Sequence, residues 1–393
     1  MAKKIIFSFI PIILIILTAE LVCRIKYCVD YKDYRWLYIP FNELGPKAAP
    51  PLDKSEQKVI KIQTKASIDS VYSPCRGKML VQSYNDYGWR GRMFSKIKPE
   101  SIYRILIVGG SSAESVITGD EDSWYYLLLE SLDSDSLLKG KIEVINAGVS
   151  GNNSKLINEQ LQKQGFELKP DLILYYEAHN DIHLVTPWFK HLDTKIGLLA
   201  KSHLIHRLLH YRSMLYTYLV EKYFFTKMKI TQWRIDEKLT SENFKSIITN
   251  CKKRSIDFVY IRQANNFPLE KDGKNLTDEH DLRELIKIYS EKKTIGEDKT
   301  RLSEEWSELM VFLQRLLLVI QTKICWLENI EVIDPLPAFE AARKDSLVLF
   351  QGHGNKTNFG VHTTCEGDKI LAKCVFDGIK QKVENGVSYF AVK

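Results

Sequence analysis

The segment RILIVGGSSAESV, residues 104–116, places a short apolar run directly before two glycines and two serines. The run Ile105–Val108 is typical of a buried strand, and the Gly-Gly-Ser-Ser that follows can turn the chain sharply into a helix. Glycine permits a tight turn and serine can cap a helix, so the composition has an ordinary structural explanation. The same turn would also present a hydroxyl group at the end of a strand. Partners elsewhere in the chain decide whether that hydroxyl is a nucleophile.

The pattern of a strand followed by a helix recurs along the chain. Helical segments separate four further strand-like segments: KIEVINAG (141–148), PDLILYYEA (170–178), SIDFVYIRQA (255–264) and NIEVIDPLP (329–337). An alternating β/α order implies a parallel sheet covered by helices on both faces. Ligands and substrates in such folds bind beyond the carboxyl ends of the strands. The sequence therefore predicts an α/β fold with a parallel central sheet and a site at one edge of that sheet.

Composition excludes several classes of protein. The chain has 393 residues, 45% hydrophobic and 27% charged, with a net charge of +7, which is ordinary for a globular protein. No dense basic block or nucleic-acid module is present, which argues against a nucleic-acid partner. The seven cysteines are dispersed without a CxxC pair, a pattern typical of neither a zinc site nor a disulfide scaffold. We expect no metal and no organic cofactor.

The N-terminus carries a membrane signal. Lys3 and Lys4 precede the uncharged apolar run IIFSFIPIILIILTA, and small residues suited to a cleavage site are scarce after it. This favours an uncleaved anchor over a cleaved signal peptide, with the remaining chain outside the cytoplasm. The predicted organisation is as follows: an N-terminal membrane anchor over residues 1–26, a linker and small extension over 27–100, and an α/β domain over 101–385 with a helical insertion over 188–250.

Polar groups follow the next two strands as well. The second strand ends in NAGVSGNNS and the third in EAHND. A backbone N–H at a glycine and an asparagine amide can stabilise the oxyanion that forms when an acyl carbonyl is attacked. A candidate base appears late in the chain, where His362 lies in the polar segment FGVHTTCEGDKILA. Serine, oxyanion donors and histidine in this order suit an acyl-transfer site.

These four segments, in this order, resemble the sequence blocks of the SGNH (GDSL-type) hydrolase superfamily, and the anchor resembles that of its membrane-anchored bacterial members. The resemblance implies a three-layer α/β/α, flavodoxin-like fold and an esterase or acyl hydrolase activity. It implies that Ser111, rather than Ser112, is the nucleophile and that His362 is the base. It also implies an oxyanion hole made by the N–H groups of Ser111 and Gly151 and the side-chain amide of Asn180.

One position departs from the family pattern. The superfamily usually has an aspartate three residues before the base, and this chain has Phe359 there. Phenylalanine cannot accept a hydrogen bond from the imidazole, so we expect a Ser–His dyad, with a degenerate site as the alternative. Asp334 and Asp368 are possible substitute acids, although the sequence positions neither of them.

The resulting expectation is a membrane-anchored serine esterase. Its substrates would be acyl esters, most simply acetyl esters, on envelope glycans or on small molecules, and it would act without a cofactor through an acyl-enzyme. Two alternatives remain open from sequence. An O-acyltransferase would use the same residues to transfer the acyl group to a sugar hydroxyl, and a non-catalytic envelope binding or assembly protein would keep only the fold.

Overall fold

The computed structural model describes residues 14–26, 29, 67–73, 75–185, 215, 237–291, 304–345, 347–351 and 360–392. Its strands are β1 (Ser67–Ser73), β2 (Lys78–Tyr84), β3 (Tyr103–Gly109), β4 (Ile142–Asn146), β5 (Leu172–Tyr176), β6 (Asp257–Ile261), β7 (Glu270–Lys271), β8 (Lys274–Asn275) and β9 (Glu331–Ile333). Its helices are α1 (14–26), α2 (Ser111–Glu114), α3 (Trp124–Ser134), α4 (Ser154–Gln160), α5 (Ile182–Val185), α6 (Glu237–Lys252), α7 (Glu279–Glu291), α8 (Glu304–Leu327), α9 (Leu336–Lys344) and α10 (Cys365–Val392).

The central sheet has five strands in the order β4-β3-β5-β6-β9, and every neighbouring pair is parallel. In chain order this is the 2-1-3-4-5 arrangement of flavodoxin-like sheets. Every residue of β3 and of β5 is buried, as expected for central strands covered on both faces. The predicted α/β fold with a parallel sheet is confirmed, and each predicted strand segment contains one strand of this sheet.

The helices form two packed groups, as a covered sheet requires. Helix α3 packs against α10, and α6 packs against both α4 and α8. Most of α6 falls within the helical insertion predicted over 188–250, but its side chains belong to the core of the α/β unit. Phe244, Ile247 and Ile248 are each 0% exposed, and Phe244 makes an edge-to-face contact with Tyr175 of β5. Residues from 237 onward therefore belong to the α/β domain.

The chain divides into two compact units. The larger unit contains residues 59–187, 234–292 and 302–393, including the whole central sheet. The smaller unit contains residues 1–58, 188–233 and 293–301. Within it, the Glu20 carboxylate of α1 accepts a hydrogen bond from the Leu215 N–H at 2.9 Å. The predicted linker segment around residues 27–60 and most of the predicted insertion lie outside the described residues.

Among the described residues, one helical stretch is long and apolar enough to cross a membrane. It is Ser307–Leu327 within α8, and 78% of it is buried inside the protein, as in the core helix of a globular domain. The N-terminal helix α1 instead exposes its apolar side chains, with Ile15 68% and Leu17 59% exposed.

An antiparallel hairpin, β1–β2, packs beside the segment that follows α2. The side-chain amide of Gln82 donates hydrogen bonds to the carbonyl oxygens of Val116 and Thr118, both at 2.9 Å. The buried guanidinium of Arg90 pairs with Asp120 at 2.9 Å and also donates to the Thr118 carbonyl. These contacts fix the chain that leads away from the Gly-Gly-Ser-Ser turn.

A disulfide joins this hairpin to the start of the last helix. Cys75, in the turn between β1 and β2, is bonded to Cys365, the first residue of α10. The two cysteines are 290 residues apart in sequence, and their Cα atoms lie 6.2 Å apart. Spacing along the chain could not indicate this pair, because the fold alone brings the two segments together. The bond closes almost the whole α/β unit into one covalent loop.

Removing the disulfide should lower stability, because the open chain gains conformational freedom when it unfolds. We expect the Cys75→Ser/Cys365→Ser variant to lose about 2–4 kcal/mol of unfolding free energy relative to the oxidised protein. Guanidinium denaturation followed by tryptophan fluorescence measures the difference. The Cys374→Ser variant, which removes a free thiol of the same helix, is the control. Equal midpoints for the oxidised wild type and the double variant would show that the cross-link contributes nothing.

Candidate active site

The turn after β3 is built from two glycines because neighbouring groups leave no room for a side chain. A Cβ at Gly109 would overlap the carbonyl of Tyr176, at the end of the adjacent strand β5. A Cβ at Gly110 would overlap the Asn180 amide and the Glu177 carboxylate. The carboxyl ends of β3 and β5 therefore meet closely, and the first residue of α2 is presented at this edge.

Ser111 is that first residue, and its hydroxyl lies against the imidazole of His362. The distance between Ser111 Oγ and His362 Nε2 is 2.8 Å, although the residues are 251 positions apart. Both side chains are half-buried. Burial lowers the pKa of His362 to about 4, so the imidazole is neutral at pH 7 and Nε2 can accept the serine proton. The structure thus brings together the predicted nucleophile and base.

Ser112 faces the interior instead. It is 2% exposed, and its hydroxyl donates to the carbonyl of Val361 at 2.9 Å while accepting from Nε2 of Gln263 at 3.0 Å. The single hydroxyl hydrogen is therefore committed to a backbone acceptor. Of the two neighbouring serines, the geometry leaves only Ser111 free to attack a substrate.

No carboxylate among the described residues contacts His362. Asp334 forms an ion pair with Arg262 at 2.5 Å, and Asp368 accepts hydrogen bonds from the hydroxyl groups of Thr363 and Thr118. Neither of the substitute acids considered from sequence therefore orients the imidazole. Phe359 itself lies outside the described residues. Within the described part of the chain, Ser111 is the only hydrogen-bond partner of the His362 side chain.

The segments that carry two of the predicted oxyanion donors reach the turn, because the Asn180 amide and the carbonyl of Asn152, next to Gly151, lie against Gly110. Gly151 is exposed with a φ of +83°, and neither its N–H nor that of Ser111 donates to another described residue. Asn180 is 8% exposed, and its amide nitrogen donates to the Asn152 carbonyl at 2.9 Å and to Glu177 at 3.2 Å. An arriving oxyanion would have to replace the longer of these two bonds.

Glu177 belongs to the segment EAHND, and its role in the site was not predicted from the sequence. It is fully buried, and its two oxygens accept from the Gly110 N–H at 3.0 Å, the Asn180 N–H at 2.6 Å and the Asn180 amide at 3.2 Å. Burial raises the pKa of this carboxyl to about 8, while the N–H donors act in the opposite direction. Glu177 thereby ties the nucleophile turn to the segment that carries Asn180. A carboxylate immediately after a fully apolar strand was the available signal.

Two clusters among the described residues have the composition of a metal site. One contains Cys75, Cys365 and Glu366, but its two sulfur atoms form the disulfide. The other contains the exposed residues Asp278 and His280 with Asp281, at the start of α7. Neither cluster includes Ser111 or His362.

Similarity to known proteins is found among solved structures. A scan against protein-family models finds no match, and a search of curated proteins finds none. Solved structures that are similar include the acetyl xylan esterase AlAXEase, with 13% identity over 70% of this chain and 99% of that chain and a TM-score of 0.40. The acetylxylan esterase Axe2 from Geobacillus stearothermophilus has 16% identity over 70% and 94% of the chains, with a TM-score of 0.39.

A GDSL-like lipase from Bacteroides thetaiotaomicron is also similar, with 12% identity over 75% of this chain and 93% of that chain and a TM-score of 0.36. Identities this low, with TM-scores below 0.5, leave activity and substrate to be argued from the side chains of this site.

The protonation of His362 tests whether an acid supports the imidazole. We expect its titration midpoint near pH 4, because burial disfavours the imidazolium and no described carboxylate offsets that cost. The measurement is an NMR titration of the full-length chain labelled with ¹⁵N-histidine, with His362→Gln identifying the signal among nine histidines. A midpoint at or above the ordinary value of about 6.5 would show that an anion contacts the ring.

Proposed function

We propose that this protein is a serine esterase of the SGNH type that hydrolyses acyl esters through an acyl-enzyme. The observation that carries the proposal is the 2.8 Å contact between Ser111 Oγ and a neutral His362 imidazole at the carboxyl edge of a parallel sheet. A serine with an adjacent base is the requirement for nucleophilic acyl transfer. The buried hydrogen bonds of Ser112 distinguish this arrangement from a turn in which both serines merely cap a helix.

In the acylation half-reaction, Ser111 Oγ attacks the ester carbonyl carbon while its proton moves to Nε2 of His362. The carbonyl electron pair moves onto oxygen, and the N–H groups of Ser111 and Gly151 with the Asn180 amide would stabilise that oxyanion. Collapse of the intermediate breaks the bond to the alcohol, which leaves with the proton from His362. The acyl group is then bonded to Ser111.

In the deacylation half-reaction, His362 takes a proton from water as the water attacks the acyl carbon. Collapse returns the proton to Ser111 Oγ and releases the carboxylic acid. Because no carboxylate among the described residues supports it, the imidazolium is less stable at each step. Loss of the orienting acid costs about 10⁴ in the rate of a serine triad. We therefore propose a slow esterase that is still well above the uncatalysed rate.

We further propose that the protein acts outside the cytoplasm and stays attached to the membrane through residues 1–26. Disulfides persist in oxidising compartments, and the Cys75–Cys365 bond supports such a location. The exposed apolar side chains of α1 support an anchor. An esterase held at this surface would meet acylated envelope glycans, so acetyl esters of such glycans are the proposed substrates.

Labelling with a fluorophosphonate probe tests the nucleophile. We expect the full-length wild type to be labelled, Ser111→Ala to lose labelling completely, and His362→Ala to react at least about 100-fold more slowly because the base is absent. Ser134→Ala, which changes an exposed serine of α3, should label like the wild type. Labelling that persists in Ser111→Ala, or its absence from folded wild type, would refute the proposal.

Substrate preference is measured by offering the wild-type protein different esters, with the same variants as controls. Acetate release from an O-acetylated polysaccharide, compared with hydrolysis of p-nitrophenyl acetate and p-nitrophenyl octanoate, reports whether short acyl groups on glycans are preferred. A sugar acceptor that diverts the acetyl group away from water would instead indicate an acyltransferase.

Fractionation tests the location. We expect the full-length protein to remain in the membrane pellet after carbonate washing, and a chain that lacks residues 1–26 to be released. Mass spectrometry of alkylated, non-reduced peptides should recover the Cys75–Cys365 link. A mature protein whose mass corresponds to removal of the N-terminal segment would show cleavage rather than anchoring, and two alkylated thiols would contradict an oxidising location.

A further inference from the structure

Among the described residues, no side chain other than Ser111 forms a hydrogen bond with the His362 imidazole. Contacts of the loop that carries His362 must therefore fix the position of the ring. The His362 carbonyl accepts from the Gln351 N–H at 2.9 Å, and the next residue, Thr363, is bonded to Asp368. The first contact holds the base loop to residue 351, and the second holds it to helix α10. Neither of them connects it to the serine that it must reach.

One contact makes that connection. The carbonyl of Val361, immediately before the base, accepts the hydroxyl hydrogen of Ser112, immediately after the nucleophile, at 2.9 Å. The bond joins positions that are 249 residues apart. A change in this bond would move the backbone of His362 relative to the backbone of Ser111.

Gln263 determines where the Ser112 hydroxyl points. This residue follows β6 and is 1% exposed, and its Nε2 donates to Ser112 Oγ at 3.0 Å. A hydroxyl has one hydrogen, so a donor on its oxygen leaves that hydrogen for the Val361 carbonyl. The order Gln263 Nε2 to Ser112 Oγ to Val361 carbonyl is therefore a directional hydrogen-bond relay.

The other end of the Gln263 side chain fixes the amide in this orientation. Its Oε1 accepts from the backbone N–H groups of Ala178 and His179, at 3.0 and 2.8 Å, and from the Gln314 amide at 3.1 Å. Three donors converge on one oxygen, so the amide cannot turn over without facing N–H against N–H. The same side chain thus also holds the segment that leads to Asn180.

We propose that Gln263 and Ser112 are positioning residues that supply the orienting role of a triad acid through the backbone of the base. The inference rests on the proposed function, because it assigns the relay to the Ser111–His362 reaction. The aspartate of a catalytic triad would also place a negative charge beside the imidazole. The neutral Gln263 amide fixes geometry without that charge. The relay keeps the base in reach of Ser111, and the imidazolium gains no electrostatic support.

Substitution of Gln263 by Glu is a nearly isosteric test. Once it is ionised, the new carboxylate can still accept from Ala178, His179 and Gln314, but it cannot donate to Ser112. The Ser112 hydroxyl would then donate to the new carboxylate and release the Val361 carbonyl.

Ser112→Ala breaks the same relay at its central residue, whereas Ser112→Thr retains a hydroxyl. Asn158→Asp is the matched control, since it replaces an amide that donates to Ser246 Oγ at 3.2 Å, between α4 and α6, away from the relay.

We expect Gln263→Glu and Ser112→Ala to lower kcat for p-nitrophenyl acetate about 100-fold with KM within about twofold, because small displacements of reacting groups have effects of this size. The ¹⁵N-histidine titration of His362 should shift toward the ordinary midpoint of about 6.5 as the base loosens and hydrates. Ser112→Thr should retain more activity than Ser112→Ala. Asn158→Asp should leave the kcat and the His362 midpoint unchanged.

The two readouts separate the relay from the proposed function. If the folded wild type hydrolyses no ester and reacts with no fluorophosphonate, the esterase proposal fails, and the His362 midpoint still reports on the relay. An unchanged midpoint and kcat in both relay variants would overturn the relay while the esterase stands. Equal losses in Asn158→Asp and Gln263→Glu would also overturn it, since the effect would then be one of general stability.

Discussion

The contact between the Gly109–Gly110 turn and the end of β5 is the constraint on which the site depends. Parallel pairing of β3 with β5 brings the two strand ends together, and the absence of side chains lets the turn approach the Tyr176 carbonyl and the groups of the next segment. Because Glu177 accepts hydrogen bonds from both sides, the nucleophile turn and the Asn180 segment are held as one body. A larger residue at either glycine would separate them.

This arrangement buries acidic groups, which is costly unless their oxygens are hydrogen-bonded. Glu177 and Asp181 are both fully buried, and burial raises the pKa of Asp181 to about 7. Asp181 accepts from the Ser154 N–H at 2.7 Å, so it fixes the start of α4 in the way that Glu177 fixes the turn. Backbone N–H groups are the main donors to both carboxyls. The two acids at this edge therefore hold loops in place, and neither of them contacts His362.

The five strands of the sheet were predictable because fully buried parallel strands are continuous apolar runs bounded by polar turns. Ser111 and His362 were predictable only through the order of four blocks, since each block alone has a structural explanation. The roles of Glu177 and Gln263 were not predictable. Their partners are backbone groups and distant side chains, and a polar residue after a strand has the same appearance in sequence whether it is solvated or buried. The Cys75–Cys365 pair was not predictable either, because only the fold brings these two distant segments together.

The separation of geometry from charge explains how the site can be ordered although no carboxylate in the described part of the chain contacts the base. A triad aspartate both orients the imidazole and stabilises its positive charge. Here the carbonyl groups of Val361 and His362 accept hydrogen bonds from Ser112 and Gln351, and the Thr363 hydroxyl donates to Asp368, which together restrain the base loop. Burial lowers the pKa of His362 to about 4. An imidazole held this way is neutral over most of the accessible pH range and is a weak base. The structure therefore favours correct placement of the reacting atoms over stabilisation of the imidazolium, which suits the slow ester hydrolysis that we propose.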